Sequence, residues 1–228
     1  MLTRAEASRF QTDGFVVPKY RLSTEALAWL REAVADLVAA NSTVPLTKLV
    51  LPRSARPEAN PFGVVGHHAL NRFAENPEFV ALASAALDCE AVLWGAQVFS
   101  KAPASGARVP WHQDAFFWPI GPPNACTLWI AVDQTTHENG CVQAISSSHR
   151  AGLLPHDTEG ADGNFSASFD PSPAMFSNIV DLLLKPGEVS LHHSLLVHGS
   201  GSNFSGQSRT GFAVRFMDAR ARFVHAHR

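Results

Sequence analysis

Val109-Pro110-Trp111-His112-Gln113-Asp114 is followed, after Ala115, by the aromatic run Phe116-Phe117-Trp118. Side chains alternate between the two faces of an extended strand, so His112 and Asp114, two positions apart, point to the same side. One imidazole and one carboxylate on one side are two thirds of the 2-His-1-carboxylate set that holds Fe(II) and leaves open positions opposite. Because an ordinary structural hydrogen-bonded pair has the same spacing, the metal hypothesis needs a second histidine from elsewhere.

A second segment of the chain supplies candidates for that histidine. A glycine turn feeds a predicted strand from Gly187 to His193, a loop then carries His198, and Arg209 opens a further strand. His192 and His193 are adjacent on the first of these strands, so they point to opposite faces and at most one of them reaches a common cavity. The residues alone thus leave His198 and one of these two histidines as candidates for the second imidazole.

In these residues the chain resembles the phytanoyl-CoA dioxygenase (PhyH) branch of the Fe(II)/2-oxoglutarate oxygenases. The resemblance covers most of the chain, and one departure from the family's usual Pro-Gly-Ser-His is Ser146-Ser147-Ser148-His149. The segments that carry the resemblance are Phe10–Phe15, Trp111–Asp114, Leu128–Asp133, Glu138–Cys141, Ser148–Arg150, His198–Ser200 and Arg209.

The resemblance implies a set of site residues and a reaction. His112, Asp114 and His198 would hold Fe(II), and Arg209, eleven positions beyond the distal histidine, would hold the tail of 2-oxoglutarate with help from Ser200. In the family, 2-oxoglutarate and molecular oxygen are converted to succinate and CO2 while a substrate is hydroxylated. Halogenating members lack the carboxylate, so the presence of Asp114 favours hydroxylation.

Two predicted strands can be phased to find further residues that face the site. Thr127, Trp129 and Ala131 share one face of the first strand, while Arg209 and Arg215 share one face of the last. We expect these faces to line the cavity.

We assign Thr127, Trp129 and Gln97 to the co-substrate site together with Arg209 and Ser200. A buried arginine needs an anionic partner, because an unpaired buried charge is costly and a guanidinium matches a carboxylate in a bidentate pair. For Arg215 an internal salt bridge remains an alternative.

The distribution of helix and strand signals predicts an all-β core with flanking helices. Thr3-x-x-Glu6 and Ser23 predict helix starts, a further helix begins near Pro77, and His67-His68 are expected to be surface or capping residues. Residues 41–66 contain four prolines and predict an irregular connection, either passive or a lid. Short strands are predicted at Val92–Phe99, Val109–Asp114, Cys126–Asp133, Cys141–Ile145, Gly187–His193 and Arg209–Met217, with a hairpin turn at Asn139-Gly140.

This pattern favours a double-stranded β-helix, a cupin-like jelly roll, with a helical N-terminal third. The length of 228 residues suits a single oxygenase domain, residues 1–228.

Charge and cysteine usage limit the expected partners and compartment. A formal net charge of −2 without a basic or acidic run argues against nucleic acid or a membrane surface as partner, which favours a small-molecule substrate. Cys89, Cys126 and Cys141 lie far apart in apolar surroundings and predict free core thiols in a reducing compartment. No apolar run approaches the roughly 20 residues of a spanning helix, so we expect a cytoplasmic protein.

The substrate is the least constrained expectation. Phe116, Phe117 and Trp118 are expected to line one wall of the entrance with Arg215 opposite, a pocket that suits a small polar or zwitterionic metabolite. An acyl-CoA ester is the main rival within the same family. A cupin-like isomerase or hydrolase with Zn or Mn would have no use for Arg209, and a non-catalytic binding module would usually have lost a ligand.

Overall fold

The computed structural model describes residues 1–51, 63–105, 108–158 and 167–224. The helices in these ranges, α1 to α5, are Arg4–Asp13, Thr24–Ala40, His68–Ala74, Pro77–Leu87 and Asp114–Phe117. The strands β1 to β12 are Phe15–Val16, Leu49–Val50, Ala91–Lys101, Val109–His112, Ile120–Gly121, Ala125–Ala131, Val142–Ile145, Ile179–Leu182, Val189–His193, His198–Ser200, Arg209–Asp218 and Arg222–Phe223. Two short 3₁₀ helices cover Ser148–Ala151 and Pro173–Asn178.

The strands form two main antiparallel sheets that enclose a cavity. The larger sheet has the order β1-β9-β6-β11-β3-β2, and the smaller has the order β4-β10-β7-β8. A further two-stranded sheet pairs β12 with β5. Side chains from both main sheets line the cavity, so the site is built between them. The predicted all-β core and jelly-roll architecture are confirmed.

Strand β11 shows how the sequence separates the core from the cavity. Phe212, Val214 and Phe216 are buried with the helices in the main hydrophobic cluster. Their neighbours Arg209 and Arg215 line the cavity on the other face. Each large apolar side chain buried in this way stabilises the fold by about 1.5–3 kcal/mol. Burial of the apolar face therefore fixes the pairing register of β11, and the opposite face carries the arginines into the cavity. This is the division of faces that the phasing predicted.

The N-terminal helices begin where the sequence predicts. Thr3 and Glu6 form a complete capping box at α1. The side chain of Ser23 accepts a hydrogen bond from the backbone N–H of Ala26 at the start of α2. His67 caps α3, in line with the expectation that it is a capping residue. The apolar stripe of α2 is buried against the large sheet through Leu27, Leu30, Ala33, Val34 and Leu37.

Several local predictions need correction. Within the segment predicted to be irregular, Leu49–Val50 forms a strand paired with β3, and residues 52–62 lie outside the described ranges. His198 was predicted on a loop but lies in β10, because β4 and β7 both hydrogen-bond this three-residue strand. The turn at Asn139-Gly140 joins β6 to β7, which belong to different sheets, so it is not a hairpin. The strand β8 was missed.

The three cysteines are free thiols, as predicted, with Cys126 and Cys141 buried and Cys89 half-buried. Among the described residues, no helix has both the length and the apolar character needed to cross a bilayer. The single-domain assignment of residues 1–228 and the cytoplasmic location stay predictions.

Candidate active site

His112, Asp114 and His198 meet inside the cavity. His112 ends β4 and lies directly opposite His198 of β10 in the strand register. Asp114 already belongs to α5, so the predicted strand ends two residues early. Gln113 is nevertheless extended (φ −115°, ψ 129°), which keeps Asp114 on the same side as His112. Asp114 Oδ1 lies 3.6 Å from His112 Nε2 and 4.0 Å from His198 Nε2, and all three ligand atoms lie within 4.8 Å of one another.

Hydrogen bonds orient each of these groups. The Nδ1 atoms of His112 and His198 lie 2.9 Å from the carbonyl oxygens of Pro110 and Leu196, respectively. A ring N–H donated to a carbonyl leaves the lone pair of Nε2 free for a metal. Thr127 Oγ1 donates to Asp114 Oδ2 over 2.8 Å, which leaves Oδ1 facing the histidines. Two imidazole nitrogens and one carboxylate oxygen on one face fit Fe(II).

The surroundings also set the protonation states that a metal needs. Burial opposes ionisation of Asp114, but His112, His192 and His198 around it hold its pKa well below the usual range. Burial, together with His112 and His192, holds the pKa of His198 well below its usual value. The cluster therefore presents an ionised carboxylate, and His198 is neutral.

His192 is a fourth imidazole beside this cluster. It lies in β9, opposite Thr127 of β6, and is 3% exposed. Its Nε2 is 3.6 Å from Asp114 Oδ2, and its ring centroid is 4.4 Å from that of His198. Neither ring nitrogen makes a hydrogen bond to the described part of the chain. His192 lines the cavity and His193 does not. The sequence predicted that at most one of the two would point inward, but it did not show which one.

Arg209 and Lys101 form a cationic end of the cavity. Arg209 begins β11, is 2% exposed, and donates from Nη2 to the carbonyl oxygen of Gly140 over 2.6 Å, while its Nε has no partner among the described residues. Lys101 lies opposite it on β3 and donates to the carbonyl oxygens of Ser200, at 3.3 Å, and Gly201. Within the described ranges, no carboxylate lies within salt-bridge distance of either cation.

Burial lowers the pKa of both cations. Burial lowers the pKa of Arg209 to about 10. Burial and then the nearby Arg209 lower the pKa of Lys101 to about 7. Sequence reasoning missed Lys101, because its place opposite Arg209 depends on the pairing register of β3 and β11, which the sequence does not reveal.

The other predicted co-substrate residues divide into two groups. Thr127, Trp129 and Ser200 line the cavity, and the Arg209 guanidinium lies 5.6 Å from the centroid of the Trp129 ring. Gln97 is not among the cavity-lining residues. Its side chain donates to the carbonyl oxygen of Thr47 over 2.8 Å and accepts a 2.6 Å hydrogen bond from Arg215 Nη2, so it positions that arginine.

The predicted substrate residues are arranged differently from expectation. Phe116 and Phe117 lie in α5 and are each 36% exposed, and Phe116 stacks on His156 at 4.3 Å between ring centroids. Trp118 is buried, and the Arg215 guanidinium lies 5.7 Å from the centroid of its ring. Arg215 therefore lies against Trp118 rather than across from it. None of the three rings lines the cavity, but Phe117 packs edge-on against His112, with 5.8 Å between the ring centroids.

Two antiparallel sheets that enclose a 2-His-1-carboxylate cluster define a jelly-roll metalloprotein. The family model described as phytanoyl-CoA dioxygenase (PhyH) matches residues 10–211, and the chain belongs to this family.

Relatives of the chain include the peroxisomal phytanoyl-CoA dioxygenase of Bos taurus, which is 31% identical over 133 residues, covering 56% of this chain and 40% of the relative. A probable alpha-ketoglutarate-dependent hypophosphite dioxygenase of Stutzerimonas stutzeri is 35% identical over 112 residues, covering 45% of this chain and 37% of the relative. The chain thus spans less than two thirds of either relative's length.

A solved structure extends the comparison over the whole fold. The crystal structure of EvdO2 from Micromonospora carbonacea var. aurantiaca, complexed with 2-oxoglutarate, has a TM-score of 0.74 and 25% sequence identity. The match covers 98% of this chain and 94% of that chain. The jelly-roll fold of this protein is therefore also the fold of a protein that binds 2-oxoglutarate.

Proposed function

We propose that this protein is an Fe(II)- and 2-oxoglutarate-dependent dioxygenase that hydroxylates a small polar metabolite with molecular oxygen and releases succinate and CO2. The observation that carries the proposal is the pairing of two features in one cavity: the His112–Asp114–His198 cluster and the buried Arg209, which has no carboxylate partner among the described residues. A metalloenzyme that does not use 2-oxoglutarate has no need for the second feature.

The metal would be held by His112 Nε2, Asp114 Oδ1 and His198 Nε2. When bound, Fe(II) supplies the activation of oxygen and of the 2-oxo acid. The residues of the chain supply the geometry, since the two backbone carbonyls fix the imidazole orientations and Thr127 holds the second carboxylate oxygen. Such supporting hydrogen bonds strengthen metal binding by about 10- to 100-fold.

The distal carboxylate of 2-oxoglutarate would lie against Arg209, with Lys101 and Ser200 beside it. An anion there would offset the cost of burying two cations, and the planar guanidinium can bind a carboxylate through two parallel hydrogen bonds. The Trp129 indole supports Arg209, and it fits there because Gly211 has no side chain: a Cβ on Gly211 would lie 1.9 Å from Trp129 Cζ2. Gly211 thus keeps the indole against the strand.

The substrate side of the cavity would be defined by Arg215 and His192. Both lie opposite Thr127, Arg215 on β11 and His192 on β9, so the three residues form one row across the sheet beside Asp114. Arg215 Nε and both nitrogens of His192 have no hydrogen-bond partner in the described residues. Unmatched buried donors favour a ligand that can accept from them, such as a substrate with a carboxylate or phosphorus oxyanion group.

The relatives offer two substrate classes. The name of the Stutzerimonas stutzeri relative specifies hypophosphite, a small anion, and that of the Bos taurus relative specifies an acyl-CoA ester. Arg215 suits a compact anionic or zwitterionic molecule better, because it lines the cavity, backed by the Trp118 ring, rather than a surface where a CoA phosphate would sit. In this proposal the three rings Phe116, Phe117 and Trp118 do not contact the anionic group of the substrate directly. They lie at the rim of the cavity or behind Arg215.

Succinate formation and oxygen uptake test the proposal against a panel of amino acids, betaines, phosphonates including aminophosphonates, hypophosphite and acyl-CoA esters. We expect turnover with a small anion or zwitterion that requires both Fe(II) and 2-oxoglutarate. In Arg215→Met, kcat/KM for that substrate should fall about tenfold or more while the KM for 2-oxoglutarate is retained. Turnover with acyl-CoA esters alone, or a substrate indifferent to Arg215→Met, would contradict the substrate assignment.

A further inference from the structure

A second group of metal-binding side chains lies outside the cavity. His137 Nδ1 is 3.2 Å from Asp181 Oδ2, and Cys141 Sγ is 3.8 Å from Asp181 Oδ1. The ligand atoms of all three residues lie within 4.8 Å of one another. Val142 lines the cavity, so Cys141 before it points to the opposite, outer face of the small sheet. The Cys141 side chain therefore lies on the far side of the small sheet from the cavity lining, although it is near enough to Arg209 and Lys101 to interact with their charges.

The backbone holds the cluster in place without a metal. His137 and Cys141 lie in one turn, closed by a 3.0 Å hydrogen bond from the Cys141 N–H to the Thr136 carbonyl oxygen. Asn139 Oδ1 accepts from the Thr136 N–H over 2.8 Å, and Asn139 Nδ2 donates to the Gln134 carbonyl oxygen over 2.8 Å.

Two further contacts fix the position of the cluster, one at Asp181 on β8 and one at Gly140 of the turn. Asp181 on β8 is set by its pairing with Gln143, whose side chain donates to Asp181 Oδ1 over 2.7 Å. Gly140 has φ +73°, and a Cβ there would lie 2.4 Å from the Gly201 carbonyl oxygen. The turn therefore packs closely against the backbone at Gly201, directly after β10. The backbone of the turn and of β8 would therefore lose little conformational freedom when an ion binds.

We propose that His137, Cys141 and Asp181 form a binding site for a zinc-like divalent cation, separate from the iron site. Zinc bound tetrahedrally to sulfur, nitrogen and oxygen separates its ligand atoms by about 3.3 to 3.6 Å, from bond lengths of about 2.0 to 2.3 Å. The observed separations from the two Asp181 oxygens, 3.2 Å to His137 and 3.8 Å to Cys141, lie just below and just above this range, so small side-chain shifts would bring the ligand atoms onto one ion. A water molecule would complete four ligands.

The two sites differ in the metals that they prefer. A thiolate ligand selects a borderline-soft cation such as zinc, whereas the nitrogen and oxygen ligands of the cavity suit Fe(II). Burial and the neighbouring Asp181 raise the pKa of the Cys141 thiol to about 11, so an incoming ion must displace its proton. A bound ion would tie the 136–141 turn to β8, next to the Gly140 carbonyl that accepts from Arg209.

Cobalt(II) titration with a non-thiol reductant present tests the site, because a bound thiolate gives cobalt a near-ultraviolet charge-transfer band that the sulfur-free iron site cannot produce. We expect the band in the full chain and in His112→Ala, its loss in Cys141→Ser, and its displacement by zinc. Cys89→Ser is the matched control and should keep the band. Absence of the band in the full chain, or its survival in Cys141→Ser, would overturn the proposal.

Because Cys141 is buried, the exposed His137 provides a variant that leaves packing unchanged. His137→Ala should weaken cobalt binding by about tenfold or more. In the His112→Ala background, zinc in large excess over its dissociation constant should raise the melting temperature by several degrees, and this rise should vanish when His137→Ala is added. Unchanged cobalt affinity in His137→Ala would show that the three groups do not share an ion. Neither outcome depends on the proposed dioxygenase activity.

Discussion

Replacing Arg209 with methionine isolates the contact that we assign to 2-oxoglutarate. Arg209 makes one hydrogen bond to the described chain, to the Gly140 carbonyl oxygen, and its Nε is unpartnered. Most of its donor capacity is therefore available to a ligand. A hydrogen bond to a charged group contributes about 1.5–3 kcal/mol. Since about 1.4 kcal/mol is a factor of ten, Arg209→Met should weaken 2-oxoglutarate binding by about ten- to a hundred-fold or more.

Anaerobic calorimetry of 2-oxoglutarate binding to Fe(II)-loaded protein measures this effect directly. Arg215→Met is the matched control, because it removes a second cavity-lining arginine from the same face of the same strand. We expect the control to keep its 2-oxoglutarate affinity and both variants to keep their iron affinity. Equal 2-oxoglutarate affinity in Arg209→Met and the unmodified protein would refute the assignment of the co-substrate carboxylate to Arg209.

Three further predictions concern the metal and the co-substrate. His198→Ala should reduce Fe(II) affinity, measured by chelator competition, far more than His192→Ala; the reverse order would make His192 the distal ligand. Thr127→Val removes the 2.8 Å hydrogen bond to Asp114 and should weaken iron binding about 10- to 100-fold, with Thr127→Ser restoring it; unchanged affinity in Thr127→Val would contradict that positioning role. Lys101 has a pKa of about 7 before a carboxylate binds and a higher one afterwards, so 2-oxoglutarate affinity should fall as pH rises above 7. Calorimetry in buffers of different ionisation enthalpy should then show proton uptake that Lys101→Met abolishes; uptake that persists in the variant would exclude Lys101 as its source.

The pairing of His112 with Asp114 could be predicted because it depends on local geometry. The two-residue spacing of His112 and Asp114 survives although the strand ends at His112, since Gln113 stays extended. The faces of β6 and β11 follow from the two-residue alternation of side chains along a strand, which places Thr127 and Arg209 in the cavity. The fold class followed from the same patterns.

The remaining features depend on contacts between distant segments. His198 lies in a three-residue strand, too short for an alternation signal, which exists because two neighbours pair with it. Lys101 reaches the site through the register of two ten- to eleven-residue strands. The turn of α5 after Asp114 could not be inferred from the aromatic run, and it places Phe116 against His156 and Phe117 against His112.

The most direct test of the central claim is the anaerobic addition of 2-oxoglutarate to Fe(II)-loaded protein, followed by visible absorption. Chelation of Fe(II) by a 2-oxo acid gives a charge-transfer band only when the metal keeps adjacent open positions and the co-substrate is held beside it. We predict that the band appears with one equivalent each of iron and 2-oxoglutarate and is lost in His198→Ala. Tight iron binding without any band at saturating 2-oxoglutarate would contradict the account and favour a metalloenzyme that does not use this co-substrate.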